Sequence, residues 1–78
     1  MQYEEICSEV KKIIKGQTNL DLQNNDLLLD KGVDSLSLIN IVIEIENYFD
    51  IEIDPEDLNY KTLKSITDIA NCIIRLQS

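Results

Sequence analysis

The group in this chain best placed for covalent chemistry is the hydroxyl of Ser35. It follows Gly32-Val33-Asp34 and opens the strongest amphipathic run in the sequence. A helix N-terminus gathers unbonded backbone N–H groups and the positive end of the helix dipole, so a phosphate on this oxygen is favoured there. The plainer alternative is a helix start that carries no chemistry. The chain contains no histidine, which removes Ser–His and Cys–His nucleophile arrangements and most metal sites. Carboxylates remain, but so short a chain shows no pocket in which their proton affinities would be shifted. Any chemistry at Ser35 is therefore that of a point of attachment rather than a nucleophile, with an ordinary helix start still the alternative, and no enzyme activity is expected of the chain alone.

Other chemistries fail on spacing. An EF-hand started at Asp21 would put Asp26 where the loop needs glycine and Gly32 where it needs a bidentate glutamate. Two isolated glycines cannot build a phosphate-cradling loop. Cys7 and Cys72 stand too far apart for zinc spacing and are expected to be reduced, partly buried thiols.

Several elements must position the serine. Tyr3, Ile6, Cys7, Val10, Ile13 and Ile14 form one helical stripe, with Glu4 and Glu5 at its start and Lys11, Lys12 and Lys15 at its end, as the dipole prefers. The spacing predicts a first helix over about 3–15, stopped by Gly16. Residues 17–34 have no sustained period. Leu20, Leu22, Leu27, Leu28 and Leu29 are expected to pin this long connection to a core, with a short turn near Leu27–Leu29. A second helix over 35–49 has Asp34 as its N-cap. Its core face is Leu38, Ile41, Val42, Ile45 and Phe49, with Tyr48 at the edge. Leu36, Ile39 and Ile43 form a second apolar stripe on the other side of Ser35, and Glu46 falls between the two stripes. Leu36 and Ile43 are hard to bury in a small bundle, and an exposed apolar pair flanked by acids suggests a docking surface. Ile51-Glu52-Ile53 is an extended loop with apolar anchors. Asp54-Pro55 starts a short helix reaching Asn59 or Tyr60, and Ser65-x-x-Asp68 starts a last helix over about 66–76. The expected fold is all-α: a small antiparallel-type bundle of three main helices and one short helix, with a long loop after the first, as a single domain over 1–78.

Charge is distributed unevenly. From Asp21 to Asp57 there are eleven acids and one base, Lys31, for a net −10; the four acids and six bases elsewhere carry +2. This disfavours nucleic acid and suits a basic protein surface, toward which the acidic segment would steer the encounter. No apolar run approaches a membrane span, and Met1 is followed by Gln-Tyr-Glu-Glu rather than a basic and then apolar leader. A cytoplasmic, monomeric protein without membrane insertion is the expectation.

In length, acidity, long first loop, Gly32-Val33-Asp34-Ser35-Leu36 and Phe49-Asp50-Ile51-Glu52-Ile53, the chain resembles the acyl carrier proteins and their peptidyl-carrier relatives over essentially its whole length. The resemblance implies 4′-phosphopantetheine on Ser35, transferred from coenzyme A by a phosphopantetheinyl transferase. Acyl groups would ride on its thiol as thioesters and be presented to the acyl-transferring and condensing enzymes of fatty-acid or polyketide synthesis. It also implies that Asp34 faces the modifying enzyme, that Leu36 and Ile43 meet partners, that Glu44 and Glu46 offer charge to basic docking surfaces, and that Ile53 lies near where an acyl chain can tuck between helices. Fatty-acid carriers tend to have a run of acids late in the second helix, where Asn47 and Tyr48 stand here. Primary and specialised pathways therefore both stay open, as does an aminoacyl or peptidyl cargo. A reading of a different class, an unmodified acidic helical adaptor, predicts partner binding indifferent to Ser35 but sensitive to Leu36 and Ile43.

Overall fold

The apolar stripes meet in one core. A computed structural model describes residues 2–78 as three helices: α1 (Tyr3–Thr18), α2 (Ser35–Phe49) and α3 (Ile66–Gln77), with a single 3-10 turn at Pro55–Asp57. No strand occurs among the described residues. Helix α1 packs against both α2 and α3. Its buried face is Ile6, Cys7, Val10 and Ile14. Helix α2 contributes the five residues of its expected core face, and α3 contributes Ile66, Ile69, Ala70, Cys72 and Ile73. Both cysteines are free thiols inside this core.

The ends of the elements show which local forces prevail. Helix α1 does not stop at Gly16 but runs on to Thr18. Asn19 takes the left-handed conformation (φ 63°) and donates its N–H to the Lys15 carbonyl at 2.8 Å. Asparagine tolerates this conformation almost as glycine does. Thr18 Oγ1 reinforces the last turn by donating to the Ile14 carbonyl at 2.7 Å. The short helix is cut to one 3-10 turn for a similar reason. Asn59 Oδ1 accepts the N–H groups of Lys61 (2.9 Å) and Thr62 (3.1 Å), a side-chain turn that competes with helix continuation. Helix α3 begins where expected, with Ser65 as its cap, and extends one residue further, to Gln77.

Only part of the leucine-rich connection is anchored as expected. Leu22 and Leu28 are buried and Leu20 is half-buried against the core, whereas Leu27 and Leu29 are 47% and 60% exposed. A single turn over 28–32 directs Leu28 inward and leaves its neighbours facing outward. The Leu28 N–H donates to the Lys64 carbonyl at 2.8 Å, and the Thr67 N–H to the Asn24 carbonyl at 3.1 Å, so the connection is fastened to the start of α3. Ile51 and Ile53 anchor the extended segment after α2: Ile53 is buried and Ile51 partly so.

Candidate functional site

The turn before Ser35 is built from the backbone outward. The Val33 N–H donates to the Leu28 carbonyl at 3.0 Å and the Gly32 N–H to the Leu29 carbonyl at 3.3 Å. Gly32 sits at φ +91°, with open space where a Cβ would lie. Glycine is needed there for its backbone conformation, not for room. Val33 is then buried, and the chain emerges at Asp34 and Ser35, both exposed. Tyr60, which follows the 3-10 turn, fixes this exit, its phenol donating to the Val33 carbonyl at 2.6 Å.

Asp34 caps α2. Its Oδ1 accepts the Ser37 N–H at 2.8 Å. That bond, helped by the Ser37 hydroxyl, holds the carboxyl below the ordinary carboxylate range. Ser35 and Leu36 lead the helix, with no carbonyl one turn before them in helical register, so their N–H groups are available to an oxyanion. An exposed hydroxyl next to such donors suits an oxyanion held at the helix start. Asp34 is a poor proton acceptor for Ser35, since its charged form is already stabilised by Ser37.

The apolar surroundings fall into two parts. Leu36, Ile39 and Ile43 are 69%, 46% and 49% exposed, so the second stripe of α2 lies on the surface. Ile39 also joins Ser35, Leu38, Leu58, Asn59 and Tyr60 around a cleft of about 160 Å³ that opens beside the serine. The larger hollows, about 640 and 510 Å³, surround the 50–57 segment and do not include Ser35.

The acidic residues have structural partners that spacing does not reveal. Gln17 Nε2 donates to the exposed Glu44 carboxylate and ties the end of α1 to α2. Glu46 is half-buried, and its Oε2 accepts the Ile53 N–H at 2.9 Å. The structure thus brings Asp34, Ser35 and Leu36 together at the head of α2, with Ile43, Glu44 and Glu46 further along it. Tyr60 is the site neighbour that spacing misses; its contact with Val33 spans 27 residues and leaves no periodic trace.

Comparison with known proteins agrees with this geometry. The family model described as a phosphopantetheine attachment site matches residues 8–72. The acyl carrier protein of Thermotoga maritima is 34% identical over 74 residues, covering 90% of this chain and 89% of that protein. That of Campylobacter lari is 33% identical over 76 residues, covering 92% and 96%. An acyl carrier protein homolog of Mycoplasma genitalium is 37% identical over 73 residues, covering 88% and 84%. An exposed serine at a capped helix start, its adjoining cleft and these likenesses together show that the chain belongs to the acyl carrier protein family, whose members bear covalent 4′-phosphopantetheine and are carriers rather than catalysts.

Proposed function

We propose that Ser35 Oγ is the atom that bears 4′-phosphopantetheine and that residues 1–78 act as one carrier domain. The observation that carries this is the exposed Ser35 hydroxyl at the head of α2, beside the unbonded N–H groups of the first turn and above an apolar cleft. Ser35 Oγ takes the group from coenzyme A: its bond to phosphorus forms as the bond from that phosphorus to adenosine 3′,5′-bisphosphate breaks. The hydroxyl proton passes to a base of the transferase, because this chain has no histidine and Asp34 is held as a stable carboxylate. Once attached, the arm supplies a thiol that carries acyl groups as thioesters. Asp34 keeps the first turn in register, and the leading N–H groups of α2 would be available to the phosphodiester.

Leu36 and Ile43 form the apolar grip for the transferase and for acyl-transferring and condensing enzymes, with Asp34, Glu44 and Glu46 presenting negative charge to basic surfaces. Glu46 does so while bonded to Ile53. The named relatives are acyl carriers, which favours acyl over aminoacyl cargo. We place the chain in the cytoplasm as a monomer; among the described residues no helix is long and apolar enough to cross a membrane.

Intact-mass measurement after incubation with coenzyme A and a broad-specificity transferase tests the assignment. A phosphopantetheine-sized increment is expected on the native chain and none on Ser35→Ala. An increment that persists in the variant rules out Ser35.

A further inference from the structure

Two apolar clefts share one lining residue. The first, about 160 Å³, is lined by Ser35, Leu38, Ile39, Leu58, Asn59 and Tyr60. The second, about 170 Å³, is lined by Leu27, Leu29, Asp30, Tyr60 and Lys64. Tyr60 is the residue common to both. Each cleft is about half the lower end, roughly 300 Å³, of the usual range for small-molecule pockets, and joined they would reach it.

The ring is held in place by a relay of hydrogen bonds. Its hydroxyl donates to the Val33 carbonyl at 2.6 Å. Val33 is itself buried, and its N–H is bonded to the Leu28 carbonyl at 3.0 Å. The Leu28 N–H is in turn bonded to the Lys64 carbonyl at 2.8 Å. Moving the ring aside therefore requires breaking a short hydrogen bond to a fixed acceptor. The space beyond it is an open groove walled mainly by the half-exposed side chains of Leu27 and Leu29, so removing the ring would join the first cleft to further apolar surface that an acyl chain could cover.

We infer that Tyr60 sets the length of acyl chain this carrier can shelter. Resting on the assignment of the arm to Ser35, the reading is that a short acyl group folds back into the cleft beside the serine and a longer one is stopped by the Tyr60 ring. Tyr60 is thus a specificity-determining wall latched by its own hydroxyl, and the protected cargo belongs to the short-chain class.

The test loads the full chain from a series of acyl-coenzyme A donors (acetyl, butyryl, hexanoyl, octanoyl and decanoyl) and records the thermal midpoint of each product after its mass is confirmed. In the native carrier the midpoint is expected to rise to hexanoyl and then level off. In Tyr60→Ala it should continue to rise through octanoyl, by about 5 °C beyond the native plateau, as further methylenes leave water. If Tyr60→Ala does not fold, Tyr60→Phe, which keeps the ring and loses only the latch, decides: a plateau at longer chains is expected. A native profile that rises without levelling, or variant and native profiles that level at the same length, overturns the role of Tyr60 and leaves the attachment site standing. No mass increment on the native chain defeats the attachment site first, and this inference with it.

Discussion

Glu46 holds the Ile53 N–H on its carboxylate at 2.9 Å, and its own carbonyl accepts the Ile51 N–H at 3.1 Å. One residue in the last turn of α2 thereby closes the helix and shapes the segment that follows. Asp50, in the left-handed conformation at φ 55°, makes the turn between them. Replacing Glu46 with alanine leaves a half-buried N–H without an acceptor and should lower stability by about 1–2 kcal/mol. Glu46→Gln retains an acceptor oxygen and should lose less than half of that. Urea denaturation measures both, and faster amide exchange at Ile53 in the alanine variant would localise the effect.

Asp34 gives the fold a specific acid sensitivity. Its carboxyl is held below the ordinary range by the Ser37 backbone N–H and, to a lesser degree, by the Ser37 hydroxyl. A depressed carboxyl stabilises the folded state fully above the unfolded value, about 3.9, and loses that contribution as pH falls through the lower folded value. Asp34→Asn keeps a capping oxygen without the titration. Thermal midpoints measured from pH 7 down to pH 2 should show native protein losing ground to Asp34→Asn only below about pH 4.

Ser35 should be separable from the fold. Its side chain is exposed, and an alanine at the first helical position is well tolerated. Ser35→Ala is expected to change stability by no more than about 0.5 kcal/mol while abolishing modification. Denaturation and intact mass on the same sample check the two halves of this statement.

Leu36 and Ile43 should matter to partners and not to folding. Leu36→Ala removes a side chain that is 69% exposed, so stability should move by less than about 0.5 kcal/mol. The loss of an apolar anchor should lower transferase kcat/KM roughly tenfold, by about 1.4 kcal/mol of binding. Ile43→Ala should act in the same direction. A steady-state assay over a salt series would also expose the acidic segment: the native rate should fall as ionic strength rises, because long-range steering is screened.

The helices were legible in the residues because their stripes are regular and their caps are chemical. Asp34, Ser65 and Asp54-Pro55 mark starts that side-chain geometry then enforces. Stops were harder to place. Gly16 looks like a terminator, yet Asn19 three residues later supplies the left-handed cap together with a bond to Lys15, and one glycine in an exposed turn costs α1 only about 1 kcal/mol. The exposed Leu36 and Ile43 were readable from the angle between two stripes on one helix. Tyr60 and the bond from Glu46 to Ile53 were not, since each joins an element to an irregular segment whose path only the tertiary packing decides. Leu27 and Leu29 were misplaced for the same reason: hydrophobicity says that a residue would gain from burial, not that a single turn can deliver three adjacent leucines to the same side.

The burial of the two cysteines bears on chemistry outside the fold. Cys7 and Cys72 are each only 3% exposed, so the folded chain offers solvent no reactive sulfur of its own. On the proposed attachment at Ser35, an acyl thioester on the arm would be shielded from capture by a side-chain thiol of the folded chain, and the arm would find no exposed partner there for a mixed disulfide. A maleimide applied to native protein should accordingly count armed molecules one for one and leave unarmed ones unlabelled.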